Sequence, residues 1–326
     1  MPNSIKFKIN FEQRSKKKIY KYWDEIFKNN QWSHGKFTNL FEEKWSIYNN
    51  LNSVSFSSWS GAAEAILKYF NLENKTVLCP ANTFQATPLV TKLNKSNIKF
   101  VDCNKNDLCI SYSDLQKKVK KYRPKAIWVV HIGGHISFEI EEISKFCKRN
   151  KIILIEDCAH AHGATFKNKK AGSWGDAGIY SFYATKTIST GEGGMLVSKN
   201  KNLINFAKEY KNYGKPNNKI GKNFRLSEFT AALGCVQLEN LENIINWKNE
   251  YAIKLKEKYK NHLKLPKNMR SGYYKFIIFD KINFGTGKVY DIGCHHLFGE
   301  KITLPNTDWV NKNHWCVPIY YKQKKI

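Results

Sequence analysis

Several common chemistries are missing from this sequence. Neither GxGxxG nor GxxxxGK[ST] occurs in it, so it has neither the glycine fingerprint of dinucleotide-binding folds nor a P-loop. Its eight cysteines (79, 103, 109, 147, 158, 235, 294 and 316) include no CxxC pair, which argues against a disulfide framework or a structural zinc and predicts reduced thiols. No apolar run approaches the roughly 18 to 20 residues that span a bilayer, so no membrane partner is expected. The opening MPNSIKFKINFEQRSKKK has no continuous apolar stretch of the kind a secretory leader needs, and the expected location is the cytoplasm.

Arginine is also scarce. Of 54 Lys and Arg residues only Arg14, Arg123, Arg149, Arg225 and Arg270 are arginine, although the formal net charge is +27. Lysines lie on nearly every segment, without the guanidinium forks that grip phosphate backbones. The expectation is a solvated basic surface that favours anionic small molecules, with no nucleic-acid partner. The densest group of metal-type ligands, Cys294, His295 and His296 in CHHLFGE, is read as a strand whose neighbouring side chains face opposite ways, so no metal is expected.

With 42% hydrophobic and 14% aromatic residues in 326, the composition is that of a globular protein with a substantial core. From Ser53 to Val197, short apolar runs alternate with segments of helical length: VSFSS with GAAEAILKYF, TVLCP with NTFQATPLVTKL, KAIWVV with FEIEEISKFCKRN. Such alternation predicts an α/β fold with a mostly parallel central sheet and helices on both faces. Ligands in such folds sit beyond the C-terminal ends of the strands. A long helical pattern from about Leu226 to Asn261 is expected to bridge two lobes, residues 1–250 as a large domain that includes the N-terminal helices and 251–326 as a smaller α+β domain.

Four candidate side chains fall at or just after the predicted strand ends. Glu156 and Asp157 close KIILIED, Ser181 lies in IYSFY, and Lys186 follows five residues after Ser181, ahead of GEGG. An acid, a hydroxyl and a lysine delivered by neighbouring strand ends are what pyridoxal phosphate requires: a Schiff-base lysine, a carboxylate for the pyridine nitrogen, and hydroxyls and amides for the phosphate. A second phosphate cradle is expected where SSWSGAAEAI turns into a helix at about Ala62.

On these residues the sequence resembles the DegT/StrS sugar aminotransferases, members of the fold type I pyridoxal-phosphate enzymes. The resemblance runs from about Gln31 to Tyr320 and is most specific in IEDCAHAHGATFKNKKAGSWGDAGIYSFYATKTISTGEGGML, with further matches in SWSGAAEAI, PANTFQATPLV and GKNFRLSEFTAALGCVQL. It implies that Lys186 forms the Schiff base and shuttles the proton, and that Asp157 holds the pyridine nitrogen. Phe84 stacks on one cofactor face, Ala159 lies behind the other, and His160 is near the ring hydroxyl. Ser181 with the amides of Gly61 and Ala62 holds the phosphate. Asn223 reaches the neighbouring subunit's phosphate, which implies a homodimer with shared active sites, and Arg225 serves either as a clamp for a substrate anion or in a structural ion pair.

The implied reaction passes an amino group, from L-glutamate, to a keto group of a nucleotide-activated deoxysugar for a surface polysaccharide. The alternatives are a sugar dehydratase of the same family, whose members carry His where this chain has Lys186, and a non-catalytic sensor that keeps the fold. Against the family's pattern the chain stops soon after HWCVPIYYKQKKI, and a trimmed small domain is expected.

Overall fold

A computed structural model describes residues 8–283 and 287–323. The start of the N-terminal segment and the last three residues of the tail, on which the leader and trimming expectations partly rest, lie outside the described residues. Two helices lead, α1 (Gln13–Asn29) and α2 (Lys36–Asn49). The alternating region follows as β1 (Asn52–Phe56), α3 (Trp59–Tyr69), β2 (Thr76–Pro80), α4 (Ala86–Leu93), β3 (Asn97–Val101), α5 (Tyr112–Tyr122), β4 (Ala126–Val130), α6 (Ile140–Arg149) and β5 (Ile153–Asp157). After two short strands, β6 (Thr165–Phe166) and β7 (Lys169–Lys170), come β8 (Ala177–Ser181), β9 (Gly194–Ser198), α7 (Lys201–Tyr210), α8 (Glu228–Glu239) and α9 (Leu241–Lys258). The chain ends in β10 (Met269–Arg270), β11 (Phe276–Ile278), α10 (Cys294–Leu297), α11 (Pro305–Asn313) and β12 (Trp315–Val317).

Seven strands form one sheet in the order β1-β9-β8-β5-β4-β2-β3. β9 runs against both its neighbours, and the pairings from β8 to β3 are parallel. The strand sequences explain the layering: AIWVV of β4 is buried along its whole length, as a strand covered on both faces must be. Ile127, Val129, Leu154 and Tyr180 join the core under α2, α6 and α8. Ala126, Trp128, Ile155 and Ile179, one residue out of phase, join the core under α3, α4 and α7. α6 shows the matching helical logic, burying Ile140, Ile143 and Cys147 with Glu141 and Glu142 in its first turn and Lys148 and Arg149 in its last, each sign at the helix end that favours it.

Two expectations are corrected here. The single helix expected over 226–261 is two helices that meet at Asn240, which caps the end of α8 at φ −97° and ψ −4°. α9 joins two clusters: its Leu241, Ile244 and Ile245 belong to a sheet-side core, while Ala252 and Leu255 pack with Phe276, Ile278 and Val317 of the C-terminal strands. CHHLFGE, read as a strand, begins instead with the helical turn α10. All eight cysteines are buried and unbridged. Among the described residues no helix is long and apolar enough to cross a membrane.

Glu156 and Asp157 are neighbours on β5, so their side chains leave opposite faces of the sheet. Glu156 is fully buried and gathers the loop that feeds β8, accepting from the amides of Gly172 at 2.8 Å and of Trp174 and Gly175 at 2.7 Å each. His131 Nδ1 accepts from the Ser137 amide, which leaves its Nε2 as the donor to Glu156 at 2.9 Å. The acid is thus a structural clamp that sets where β8, and with it Ser181 and Lys186, can lie. Replacing it by alanine strands three buried amides and an imidazole, and Glu156→Ala should lose about 3–5 kcal/mol of stability. Glu156→Gln, which keeps one acceptor oxygen, should lose clearly less; urea unfolding of both variants checks the order, and equal losses would contradict the clamp.

Candidate active site

The C-terminal ends of β4, β5 and β8 open into a cavity of about 790 Å³ that Val130, Asp157 and Ser181 line. The start of α3, the loop between β2 and α4, and residues 288–292 supply its other walls. Register explains the convergence: Val130 pairs with Asp157, and Asp157 with Ile179 two residues before Ser181.

Asp157 is 5% exposed, and its carboxylate is held from two sides. Oδ1 accepts from Trp59 Nε1 at 3.1 Å and from the Ala159 amide at 3.0 Å, and Oδ2 accepts from Thr87 Oγ1 at 3.0 Å. All three donors are neutral. Burial therefore pushes the pKa of Asp157 up, against the lowering effect of the Ala159 amide and the nearby Lys186 charge. The sequence reading expected the charged form to be favoured beside a pyridinium. Without that cation, desolvation dominates, and a cationic N–H donor is the partner this carboxylate lacks.

Lys186 lines the same cavity, and its Nζ stands 4.8 Å from the centroid of the Tyr274 ring. The residue as a whole is half-buried, and its amine is partly withdrawn from solvent. That withdrawal lowers its pKa to about 8; Asp157 pulls it back upward and Lys275 pushes it further down. An amine that loses its proton near neutrality is a nucleophile and a base, which a surface lysine is not. His160 stacks on Tyr274 at 4.2 Å between centroids. Burial, then the charges of Lys186 and Lys275, hold its pKa well below the usual histidine range, so it is a neutral imidazole. Its Nδ1 is buried with no partner among the described residues, an unmet hydrogen bond inside a cavity wall.

Of the residues named from sequence, Phe84, Asp157, Ala159, His160, Ser181 and Lys186 line the cavity. Phe84 is 58% exposed, so its ring face is open to a stacking partner. Gly61, Ala62, Asn223 and Arg225 are not among the lining residues. The reason for the first two is that α3 begins at Trp59, three residues earlier than expected, with Ser58 as its N-cap. The Ser58 hydroxyl takes the Gly61 amide and the Ser58 carbonyl the Ala62 amide. The amides still available at this helix start are those of Trp59 and Ser60, both cavity residues and both in the turn whose donors a helix leaves unused. Asn223 is exposed. Arg225 donates to Asn212 Oδ1 at 2.7 Å and lies 5.4 Å from the Tyr213 ring centroid, a local tie that uses up part of its fork.

Ser60, in the turn that the sequence offers as a phosphate cradle, lines the cavity, whereas sequence reading missed Thr87, Tyr274, Tyr290, Lys275 and Lys288 on the same walls. The aromatic pair and the two lysines come from a distant segment and have no local signal. The last glycine of GEGG has a steric role. A side chain on Gly194 would meet the Ser58 carbonyl oxygen at 2.6 Å and the Trp59 nitrogen at 2.8 Å, so only glycine lets β9 pass under the start of α3.

A lysine of lowered pKa, a carboxylate awaiting a cation, an open aromatic face and a helix start with spare amides make up the donor set that pyridoxal phosphate needs, and the class is that of fold type I pyridoxal-phosphate enzymes. Residues 13–292 match the model of the DegT/DnrJ/EryC1/StrS aminotransferase family, and the chain belongs to that family. It is 32% identical over 228 residues to GDP-perosamine synthase of Escherichia coli O157:H7, a match covering 68% of this chain and 62% of that one. It is 34% identical over 240 residues to the UDP-4-amino-4,6-dideoxy-N-acetyl-beta-L-altrosamine transaminase of Campylobacter jejuni, covering 70% of this chain and 63% of the relative. These matches span less than two thirds of either relative's length. The fold superposes on a crystal structure of a DegT DnrJ EryC1 StrS aminotransferase from Brucella abortus with a TM-score of 0.89 at 20% identity, over 96% of this chain and 92% of that one.

The lowered pKa of Lys186 has a kinetic consequence. Only the uncharged amine attacks an aldehyde, so capture of pyridoxal phosphate by cofactor-free protein should speed up about tenfold per pH unit below about 8 and level off above it. Stopped-flow absorbance across that range measures it, and a rate still rising steeply well beyond pH 9 would mean that the amine is not depressed.

Proposed function

We propose that this protein is a pyridoxal-phosphate-dependent aminotransferase that moves an amino group from L-glutamate to a keto group of a nucleotide-activated deoxysugar, for an amino sugar of a surface polysaccharide. The observation that carries the proposal is the placing of Lys186 and Asp157 in one cavity, the amine uncharged above about pH 8 and the carboxylate held by neutral donors alone. The names of the relatives, one a GDP-sugar synthase and the other a UDP-sugar transaminase, support the substrate class.

Pyridoxal phosphate, when bound, supplies a carbonyl that carries the amine and a ring that accepts electrons. Lys186 Nζ would hold that carbonyl at rest and, as a free amine, would be the base that takes and returns the proton moved during amino transfer. Asp157 would accept the hydrogen bond of a cationic ring nitrogen and keep it charged. Ser181 Oγ, together with the hydroxyl and amide of Ser60, suits the phosphate, and Phe84 and Ala159 flank the ring. Tyr274 and Tyr290, stacked in series on His160 at 4.2 and 6.0 Å, form an apolar wall that excludes water from the proton transfer. Lys275 and Lys288 also line the cavity, and their positive charge suits a substrate carrying a diphosphate.

The proposed assembly is a homodimer with shared active sites. Its support is that Asn223 is exposed and outside its own protomer's cavity, which leaves it available to a second copy.

Lys186→Ala should remove amino transfer from glutamate by a factor of at least about 10²–10⁴, together with the visible cofactor absorbance, and Asp157→Asn should keep that absorbance while losing most of the rate. A screen of nucleotide keto-sugars with labelled glutamate provides the readout, and wild-type protein that stays colourless with added cofactor would sink the proposal. Sharing of sites has its own test. Equal mixing of Lys186→Ala and Asn223→Ala chains should restore about a quarter of wild-type activity, because half the dimers are mixed and each holds one complete site; no recovery over either variant alone would place Asn223 elsewhere.

A further inference from the structure

We propose a zinc-class cation site on the side of the molecule carrying α10 and α11, formed by His295, His296 and Asp308, that pins a wall of the cavity. The imidazoles of His295 and His296, neighbours on the turn α10, approach to 3.9 Å between ring centroids. Both present Nε2 to the same oxygen of Asp308, in the first turn of α11. His296 Nε2 is 2.8 Å and His295 Nε2 3.4 Å from Asp308 Oδ1, and one ligand atom from each of the three residues falls within 4.8 Å of the other two. Ligands held at about 2.0–2.2 Å from a tetrahedral zinc stand roughly 3.4 Å from one another; the His295–Asp308 separation matches that edge, and the His296–Asp308 hydrogen bond at 2.8 Å has to open by only about half an ångström to admit the ion.

His295 itself supplies the second, independent observation. It is fully buried, yet neither ring nitrogen has a hydrogen-bond partner among the described residues, a state that buried polar groups rarely keep. Its ring is also deliberately accommodated. A side chain on Gly293 would stand 2.6 Å from the imidazole Cε1 and 2.7 Å from Nδ1, so the Nδ1 edge lies against the chain and Nε2 is turned toward Asp308. Metal coordination at Nε2 satisfies that nitrogen, which the long contact to an oxygen already bonded to His296 does not. The fully buried cluster His131, Glu156 and Cys158 contrasts with it, because there the carboxylate and imidazole are already taken up by hydrogen bonds.

Two imidazoles and one carboxylate are a borderline-soft donor set, which selects zinc and its neighbours over magnesium or calcium, and the half-exposed edge at His296 leaves a fourth position for water. The site joins α10 to α11, and the residues flanking the histidines, Ile292 and Leu297, line the cofactor cavity. A bound cation therefore fixes a wall against which the acceptor substrate must pack. The site is distinct from the Lys186 chemistry and does not depend on it.

Untagged full-length protein, stripped with a chelator and titrated with zinc chloride by calorimetry, should bind one high-affinity equivalent per chain, and zinc should raise its melting temperature. His296→Ala and Asp308→Asn alter partly exposed side chains that the fold can spare. Each should weaken that equivalent by more than about tenfold and abolish the thermal shift. Wild-type protein that takes up no zinc, or variants that bind it as tightly as wild type, would overturn the site.

Discussion

The rest of this structure depends on an unbalanced charge at the end of β5. Asp157 is buried beneath three neutral donors and shares a cavity with an amine that is itself short of solvent. Each group is held in a less favourable state than water would give it: burial raises the acid's pKa and lowers the base's. A ligand that brings a cationic N–H to the acid and a carbonyl to the amine relieves both at once. Desolvation of both groups favours a ligand that supplies those two partners.

The scaffold around that pair reads as a set of devices for holding it. Alternation along β5 sends Glu156 to one face as the clamp of the β5–β8 loop and Asp157 to the other, where it lines the cavity. The clamp fixes the entry to β8, hence Ser181 and the loop that carries Lys186. Gly194 then allows the antiparallel β9 to run beneath the first turn of α3, so that the spare amides of that turn face the same space. Tyr274 reaches the cavity from beyond α9 and supports both His160 and the Lys186 amine. The C-terminal segments therefore belong to the active site even though their strands are few.

Much of this was legible in the sequence, for a physical reason in each case. The apolar runs of β2, β4, β5 and β8 are continuous because parallel strands are covered on both faces, so fold class and the strand-end location of Asp157, Ser181 and Lys186 could be read directly. The start of α3 was placed three residues late, at about Ala62, because Ser58 is the residue that caps it, and a cap fixes which amides after it are already bonded. CHHLFGE was read as a strand because a four-residue helix has too little periodicity to declare itself, and that error concealed the meeting of His295 with His296. Tyr274, Tyr290, Lys275 and Lys288 were invisible because only the tertiary fold brings residues so far along the chain to the strand ends.

The most direct test of the central claim concerns the proton that Asp157 is arranged to hold. Protein reconstituted with pyridoxal phosphate labelled with ¹⁵N in the ring gives a nitrogen chemical shift that separates pyridinium from free pyridine. The account predicts a protonated ring nitrogen in the wild-type protein well above the pH at which the free cofactor loses that proton, and loss of the protonated signal in Asp157→Asn. A ring nitrogen that is unprotonated in wild-type protein at neutral pH would contradict it.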